Sequence, residues 1–180
     1  MKDPGFTFEQ TEALAVRVND REEPVESPGM YAQRLQRSLP NFPCDVIIQW
    51  FFEHRQTIHQ NSWLSYRNLR FKKIELLSSE LSRPELSTDP LVEHFEEQIN
   101  ARNPDERLAR IHQFFVQNKT WPVPPIVLYN PGNTVVTPYG LQLDSPYHLL
   151  EGRHRLAVLR TLRGDQLNQS HTLWLATIAE

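Results

Sequence analysis

The chain has 180 residues, of which 39% are hydrophobic and 23% charged, and its net charge is −3. This composition excludes a disordered polymer and a membrane protein, and it lacks the basic excess of proteins that coat nucleic acid. A chain of this length can fold as one domain with a small appendage, without disulfides or metals.

The predicted elements begin with a helical extension over residues 1–65. Thr7–Gln10 fits a capping box, and Ser27 before a proline is a favourable helix start. A longer helix is predicted over Asp45–Gln60, with a broad aromatic and aliphatic stripe that includes Trp50. Core packing is the usual role of such aromatics, and the alternative is an exposed face that binds a protein partner.

For residues 66–180 the sequence predicts a domain that contains both helices and strands. A strand over Arg70–Leu77 precedes a helix that Asp89 caps ahead of a proline. The sequence Asn103–Glu106 predicts a further helix with Asn103 as its N-cap. That helix should end near Asn118. The remaining predicted elements are strands at Ile126–Tyr129, Tyr147–Leu150 and Thr172–Ile178, a strand starting at Val135–Val136, and a helix over Leu156–Leu162 that Gly164 ends.

Two features bear on the location of the protein. The N-terminus has neither the basic start nor the apolar stretch of a secretory signal. The single cysteine, Cys44, excludes an internal disulfide and favours a reducing compartment, and we expect its side chain to be buried as a small hydrophobe. The sequence therefore predicts a cytoplasmic protein without a membrane span.

The most informative segment is the predicted strand, turn and helix around Glu151-Gly152-Arg153-His154-Arg155. Glycine tolerates the backbone angles of a sharp turn, and the first N–H groups of a helix lack internal acceptors. With Arg153, His154 and Arg155 around them, these groups favour an anion, above all a phosphate. Glu151 can hold a metal ion that accompanies phosphates or accept a proton from a hydroxyl.

A less specific interpretation of the same segment stays open. Four arginines, at 153, 155, 160 and 163, fall within eleven residues and predict a local positive patch. Arginine-rich helix starts also form surface ion pairs without a function.

The sequence lacks the motifs of other common catalytic and metal-binding sites. There is no His-Glu-x-x-His pair, no Gly-x-Ser-x-Gly elbow and no phosphate-binding Gly-Lys-Ser/Thr loop. His54 and His59 are five residues apart and do not share a helix face. We therefore predict no protein-bound metal site.

The segment Leu150–Ala157 resembles the signature of the ParB/sulfiredoxin superfamily, in which an apolar strand enters a Gly-x-(His or Arg)-Arg turn and then a helix. The upstream order is similar, with a strand (Lys72–Leu77), a helix (Asp105–Gln117) and a Pro-Pro-Ile-Val-Leu strand (Pro124–Leu128). The resemblance covers about residues 68–164 and leaves the first 60 residues without a counterpart.

The resemblance implies an α+β fold with a small mixed sheet packed with helices, here preceded by the helical extension. It also implies that Gly152, His154 and Arg155 contact nucleotide phosphates, with CTP or ATP and Mg²⁺ as candidate ligands. Glu151 matches an acidic position of the kinase-like members. Arg153 replaces the reactive cysteine of sulfiredoxin, so the resemblance does not extend to sulfinic acid reduction.

Two functional interpretations follow. One is a nucleotide-binding protein that acts as a nucleotide hydrolase or phosphotransferase, in which the helix start and its arginines stabilise charge on the phosphoryl group. The other is a non-catalytic interaction module, such as an antitoxin, an immunity protein or an adaptor in a bacterial conflict system, because fold does not fix function. The partitioning members carry a helix-turn-helix domain after this fold and this chain ends before one, so we do not expect a clamp on DNA.

Overall fold

The structure is a computed structural model that describes residues 8–83, 86–87, 89–132, 134–140, 142–162 and 169–179. The chain divides into two compact units. Unit 1 comprises Met1–Phe71 with Ala176–Glu180, and unit 2 comprises Lys72–Leu175.

The helices of the described residues are α1 (Phe8–Leu14), α2 (Pro28–Gln36), α3 (Cys44–Ile47), α4 (Thr57–Gln60), α5 (Ser78–Leu81), α6 (Pro90–Asn100), α7 (Glu106–Asn118) and α8 (Arg153–Thr161). A π-helical segment covers Ile48–Phe52, and a 3₁₀ turn covers Tyr66–Asn68. The predicted cap of α2 is confirmed, because the Ser27 side chain accepts a hydrogen bond from the backbone N–H of Met30. The proposed capping box begins at Thr7, which lies outside the described residues.

The strands are β1 (Leu69–Leu77), β2 (Ile126–Tyr129), β3 (Tyr147–Glu151) and β4 (Ser170–Ile178). They form one sheet in the order β1-β4-β2-β3. Strands β2 and β3 are antiparallel, with Val127 opposite Leu149 and Tyr129 opposite Tyr147. The strand expected at Val135–Val136 is wrong. Among the described residues of this loop, Val136 forms only an isolated antiparallel β-bridge with Gln142.

The expectation of a mixed α+β protein with a small mixed sheet is confirmed. None of the described helices combines the length and the apolar character that a bilayer crossing requires.

The long helix predicted over Asp45–Gln60 is wrong, because the chain breaks into α3, the π-helical segment and α4. Gln49, Trp50 and Phe51 are buried at successive positions. A regular α-helix does not turn three consecutive residues toward one core, whereas the wider π turn brings them closer to it.

The aromatic side chains of this region form the core of unit 1. Trp50, Phe51 and Tyr66 are fully buried, and the ring of Phe42 packs against all of them at centroid distances of 5.5 to 6.2 Å. The core-packing interpretation of these aromatics is therefore confirmed. The expected burial of Cys44 is wrong, because the residue opens α3 and is exposed.

The caps of the two long helices of unit 2 are aspartates. Asp89 is the N-cap of α6, as predicted. The N-cap of α7 is Asp105 and not Asn103, because the Asp105 carboxylate accepts the Leu108 N–H at 2.8 Å. The predicted end of α7 near Asn118 is confirmed, and the residue that takes the left-handed conformation after it is Lys119.

Helix α8 starts at Arg153, earlier than the sequence pattern indicates. Its predicted stop, Gly164, lies outside the described residues. The helix packs into the main core of unit 2 through Leu156, Ala157, Val158 and Leu159, all of which are buried.

His171 of β4 is a buried polar residue within this core. Its Nε2 lies 2.8 Å from the hydroxyl of Ser78, and its ring packs against Trp121 and Phe115. Burial lowers the pKa of His171 below its usual value, because the charged imidazolium is poorly solvated there.

We expect acid to destabilise the protein through His171. The unfolded chain takes up a proton as the pH falls through about 6.5, whereas the folded state resists it until lower pH. The free energy of unfolding should therefore fall as the pH decreases below about 6.5, as measured by denaturant titrations at pH 7.5 and 5.5. His171→Gln should reduce this slope, and an unchanged slope would contradict the assignment.

Candidate functional site

The turn between β3 and α8 is built on Gly152. Its φ of +120° is a conformation that other residues rarely adopt. A Cβ atom at this position would lie 2.6 Å from the Cβ of Pro125, the residue that precedes β2. The sequence prediction of a sharp glycine turn is confirmed, and its second cause is the close approach of Pro125.

Glu151 and Arg155 flank this turn as an ion pair. Their side chains are only 11% and 8% exposed. Arg155 also donates a hydrogen bond from Nη1 to the carbonyl of Val123, at 3.0 Å. The pair therefore connects the end of β3 and the first turn of α8 to the proline-rich segment before β2.

Arg153, the first residue of α8, points to a different carboxylate. Its Nε donates to Oδ2 of Asp89, while Oδ1 of Asp89 accepts the N–H of Leu91 as the cap of α6. The Arg153 side chain is 50% exposed. Within the described residues its two Nη groups make no hydrogen bond, so they remain available to a ligand.

His154, the second residue of α8, lies between α6 and α7. Its ring stacks on Phe95 of α6 with a centroid distance of 4.0 Å and an interplanar angle of 20°. Its Nε2 is 3.9 Å from Oδ2 of Asp105, the cap of α7. This separation is too long for a hydrogen bond.

The N-terminal ends of α6, α7 and α8 therefore meet at one corner of unit 2. The two capping aspartates contact the first two residues of α8. Each helix start carries the positive end of a helix dipole and orphan backbone N–H groups. The corner is thus intrinsically suited to an anion, and the Asp89 and Asp105 carboxylates partly neutralise it.

The cluster of arginines does not form one continuous positive patch. Arg153 and Arg155 bind separate carboxylates, and Arg160 pairs with Glu96 at 3.4 Å while it donates to two loop carbonyls. Arg163 lies outside the described residues. Of the arginines described, Arg153 is the one that combines a place at the helix start with substantial exposure.

The sequence patterns missed the pairing of His148 with Asp144. His148 of β3 has Nδ1 3.1 Å from Oδ2 of Asp144, and both side chains are largely buried. Desolvation lowers the pKa of His148, although the Asp144 carboxylate opposes the shift. The charges of Asp89 and Arg153 act on this pKa in opposite directions, since Asp89 raises it and Arg153 lowers it. The Asp-x-x-x-His spacing occurs once and was too weak a signal to identify this pair from the sequence.

Among the residues that the structure describes, no three His, Cys, Asp or Glu side chains are grouped closely enough to hold a metal ion by themselves. Comparisons of the chain with protein-family models, with curated proteins and with solved structures find no match.

Replacing Gly152 with alanine should destabilise the protein by about 2 to 6 kcal/mol, since a strained backbone and an overpacked contact each cost about 1 to 3 kcal/mol. Gly140→Ala is the matched control, because Gly140 also has a positive φ but nothing within 4 Å of its Cβ position. It should cost only about 1 to 2 kcal/mol. Equal losses in the two variants, measured by urea denaturation, would exclude the contact with Pro125 as a cause.

Arg155→Met should destabilise the protein by about 3 to 5 kcal/mol, because it leaves the Glu151 carboxylate buried without its guanidinium. The double variant Glu151→Leu/Arg155→Met should recover most of this loss. Urea denaturation of the single and double variants tests the coupling. Additive losses would show that the two side chains act independently.

Proposed function

We propose that this corner binds the phosphate groups of a nucleotide, and that the protein is a nucleotide hydrolase or phosphotransferase of the ParB/sulfiredoxin type. The observation that carries the proposal is the meeting of three helix N-termini at Arg153, a half-exposed arginine whose Nη groups make no hydrogen bond to the residues that the structure describes. Backbone N–H groups at a helix start and a guanidinium fork are complementary to phosphate oxygens.

The order of elements supports the same proposal. β1, α7, β2, β3 and α8 follow one another as in the superfamily to which the Gly-Arg-His-Arg turn is similar. The turn also lies between a strand and a helix, which is the structural context that such a short motif needs to be meaningful.

The geometry suggests different roles for the residues of the motif. Gly152 allows the reversal, and Arg153 and His154 are placed to face the anion. The burial of Arg155 and Glu151 favours a positioning role for that pair, which fixes the first turn of α8. Direct phosphate contact by Arg155, and catalysis or metal binding by Glu151, would require the ion pair to open.

Binding requires an exchange of partners. A phosphate that reaches the Nη groups of Arg153 competes with the carboxylate of Asp89 for the guanidinium. Mg²⁺ sites of nucleotide-binding proteins use one or two carboxylates together with the phosphates. Asp89 and Asp105 lie beside the first two residues of α8, and their oxygens suit a Mg²⁺ ion that arrives with CTP or ATP.

The interaction-module proposal has less support. It drew on the aromatic-rich segment Val46–Trp63, which has no counterpart in the superfamily, and on the lack of a second catalytic centre. In that segment Trp50 and Phe51 are buried in the core of unit 1. No feature of the described surface identifies a particular protein partner for this segment.

The proposal predicts that Arg153→Ala weakens binding of ATP and CTP about 10- to 150-fold, the equivalent of a charged hydrogen bond of about 1.5 to 3 kcal/mol. Isothermal titration calorimetry with each nucleotide, in Mg²⁺ and in EDTA, measures the change. Arg110→Ala is the matched control, because Arg110 also pairs with a carboxylate, that of Glu106, but on the exposed face of α7. It should leave the affinity unchanged.

Asp89→Asn should change the nucleotide affinity in the opposite direction. Asparagine caps a helix as well as aspartate does, so α6 should be preserved while the competing charge is lost. In EDTA the variant should bind nucleotide about 2- to 5-fold more tightly, since an exposed ion pair is worth up to about 1 kcal/mol. Unchanged binding in both Arg153→Ala and Asp89→Asn would refute the proposed site.

A further inference from the structure

Strand β1 forms one edge of the sheet, because its neighbour in the strand order is β4 alone. Backbone hydrogen bonds tie the two strands together at both ends. The N–H of Ala179 donates to the carbonyl of Asn68, and the N–H of Ser78 donates to the carbonyl of Gln169, each at 2.8 Å. The start of β1 therefore meets the end of β4, so the two strands run antiparallel.

The register of this pair determines which backbone groups of β1 point away from the sheet. The two bonds lie ten residues apart on each strand, which is the spacing of an uninterrupted ladder. This register sets Lys73 opposite Trp174, and the Nζ of Lys73 lies 4.7 Å from the centroid of the Trp174 ring. In an antiparallel pair alternate residues bond to the neighbouring strand. Asn68 and Ser78 do so here, so the odd-numbered residues 69–77 direct their N–H and C=O groups outward.

The outer edge of β1 is occupied at its two ends and open in the middle. At its start the side chain of Asn41 donates to the carbonyl of Leu69 at 2.7 Å, and at its end the N–H of Leu77 donates to a glutamate of the next helix at 2.9 Å. Between them, the backbone groups of Phe71 and Glu75 make no outward hydrogen bond to any residue that the structure describes. Such an edge is a template for a further strand.

The side chains along the same edge carry a strong positive charge. No acidic residue falls between positions 67 and 73, and four exposed cations do: Arg67, Arg70, Lys72 and Lys73. Lysines on a sheet edge oppose pairing with a like-charged strand, so this charge disfavours a second copy of the same edge. It is complementary to an extended chain that is rich in aspartate and glutamate.

We propose that the outer edge of β1 binds an acidic, extended segment of a partner protein, which adds to the sheet as a fifth strand. The backbone groups of Phe71 and Glu75 supply main-chain hydrogen bonds, and the four cations select acidic side chains. The site shares no residue with the corner at Arg153, so it does not depend on the proposed function.

The first test is calorimetric titration of the protein with a short peptide of alternating glutamate and valine, and with the corresponding peptide of lysine and valine. We expect the glutamate peptide to bind, with an affinity that falls as salt is added, and the lysine peptide not to bind. The double variant Lys72→Glu/Lys73→Glu should lose binding of the glutamate peptide. Absence of binding between the glutamate peptide and the wild-type protein would overturn the proposal.

Two substitutions at Glu75 separate strand addition from simple charge attraction. Glu75→Gln removes a negative charge and keeps the outward N–H, whereas Glu75→Pro removes both. Proline is tolerated at this position because the missing N–H does not bond to β4, and circular dichroism checks that the variant folds. Charge attraction alone predicts equal affinities of the two variants for the glutamate peptide. Strand addition predicts that Glu75→Pro binds it about 2- to 13-fold more weakly than Glu75→Gln, because one backbone hydrogen bond is lost. Equal affinities would contradict strand addition.

Hydrogen exchange measured by NMR gives a further readout on the wild-type protein. Without peptide, the amides of Phe71 and Glu75 should exchange faster than that of Ile74, whose N–H faces β4. The glutamate peptide should slow exchange at Phe71 and Glu75, because an added strand engages these N–H groups. Peptide binding without this protection, or tighter binding of a single-stranded oligonucleotide to the same cations, would show a general polyanion surface and would overturn the proposal.

Discussion

The geometry of unit 2 depends on the approach of Gly152 to Pro125. Their separation leaves no room for a Cβ atom, so β3 turns directly into α8 here on a glycine. The buried Glu151–Arg155 pair fixes the same turn, and Arg155 binds the carbonyl of Val123 just ahead of Pro125. A buried pair of this kind contributes little net stability compared with apolar packing, but it penalises any arrangement that separates the charges. Its main effect here is therefore to define the direction in which α8 begins.

That direction determines which groups meet at the corner. The first residue of α8 reaches the cap of α6, and the second reaches the cap of α7. Each capping aspartate thus has two contacts, because one oxygen satisfies its own helix and the other faces Arg153 or His154 at the start of α8. Capping alone would be served equally by serine or asparagine. Negative charge at these positions also offsets the positive ends of the three helix dipoles and the charge of Arg153.

The sequence predicted much of this fold, because several residues have backbone preferences that agree with the element boundaries seen in the structure. Proline after Asp89, the β-rich run Ile126–Tyr129 and the glycine at 152 each define an element boundary by their own backbone preferences. The prediction failed where tertiary packing decided the outcome. The burial of consecutive residues Gln49 to Phe51 selected a π turn over a regular helix. At the site, spacing indicated an anion-binding helix start, but it contained no information about which carboxylate each arginine would meet.

Burial determines the different roles of Arg153, His154 and Arg155. A guanidinium that is 8% exposed and paired exchanges its partner only at the cost of leaving a buried carboxylate alone, whereas one that is 50% exposed exchanges with little penalty. Arg155 is therefore suited to fix the backbone and Arg153 to bind a diffusible anion. His154 is intermediate, because stacking on Phe95 fixes its ring while its Nε2 stays beyond hydrogen-bond distance from Asp105. A phosphate that binds here as we propose has to displace the partly buried carboxylate of Asp89 but does not have to order the turn that binds it.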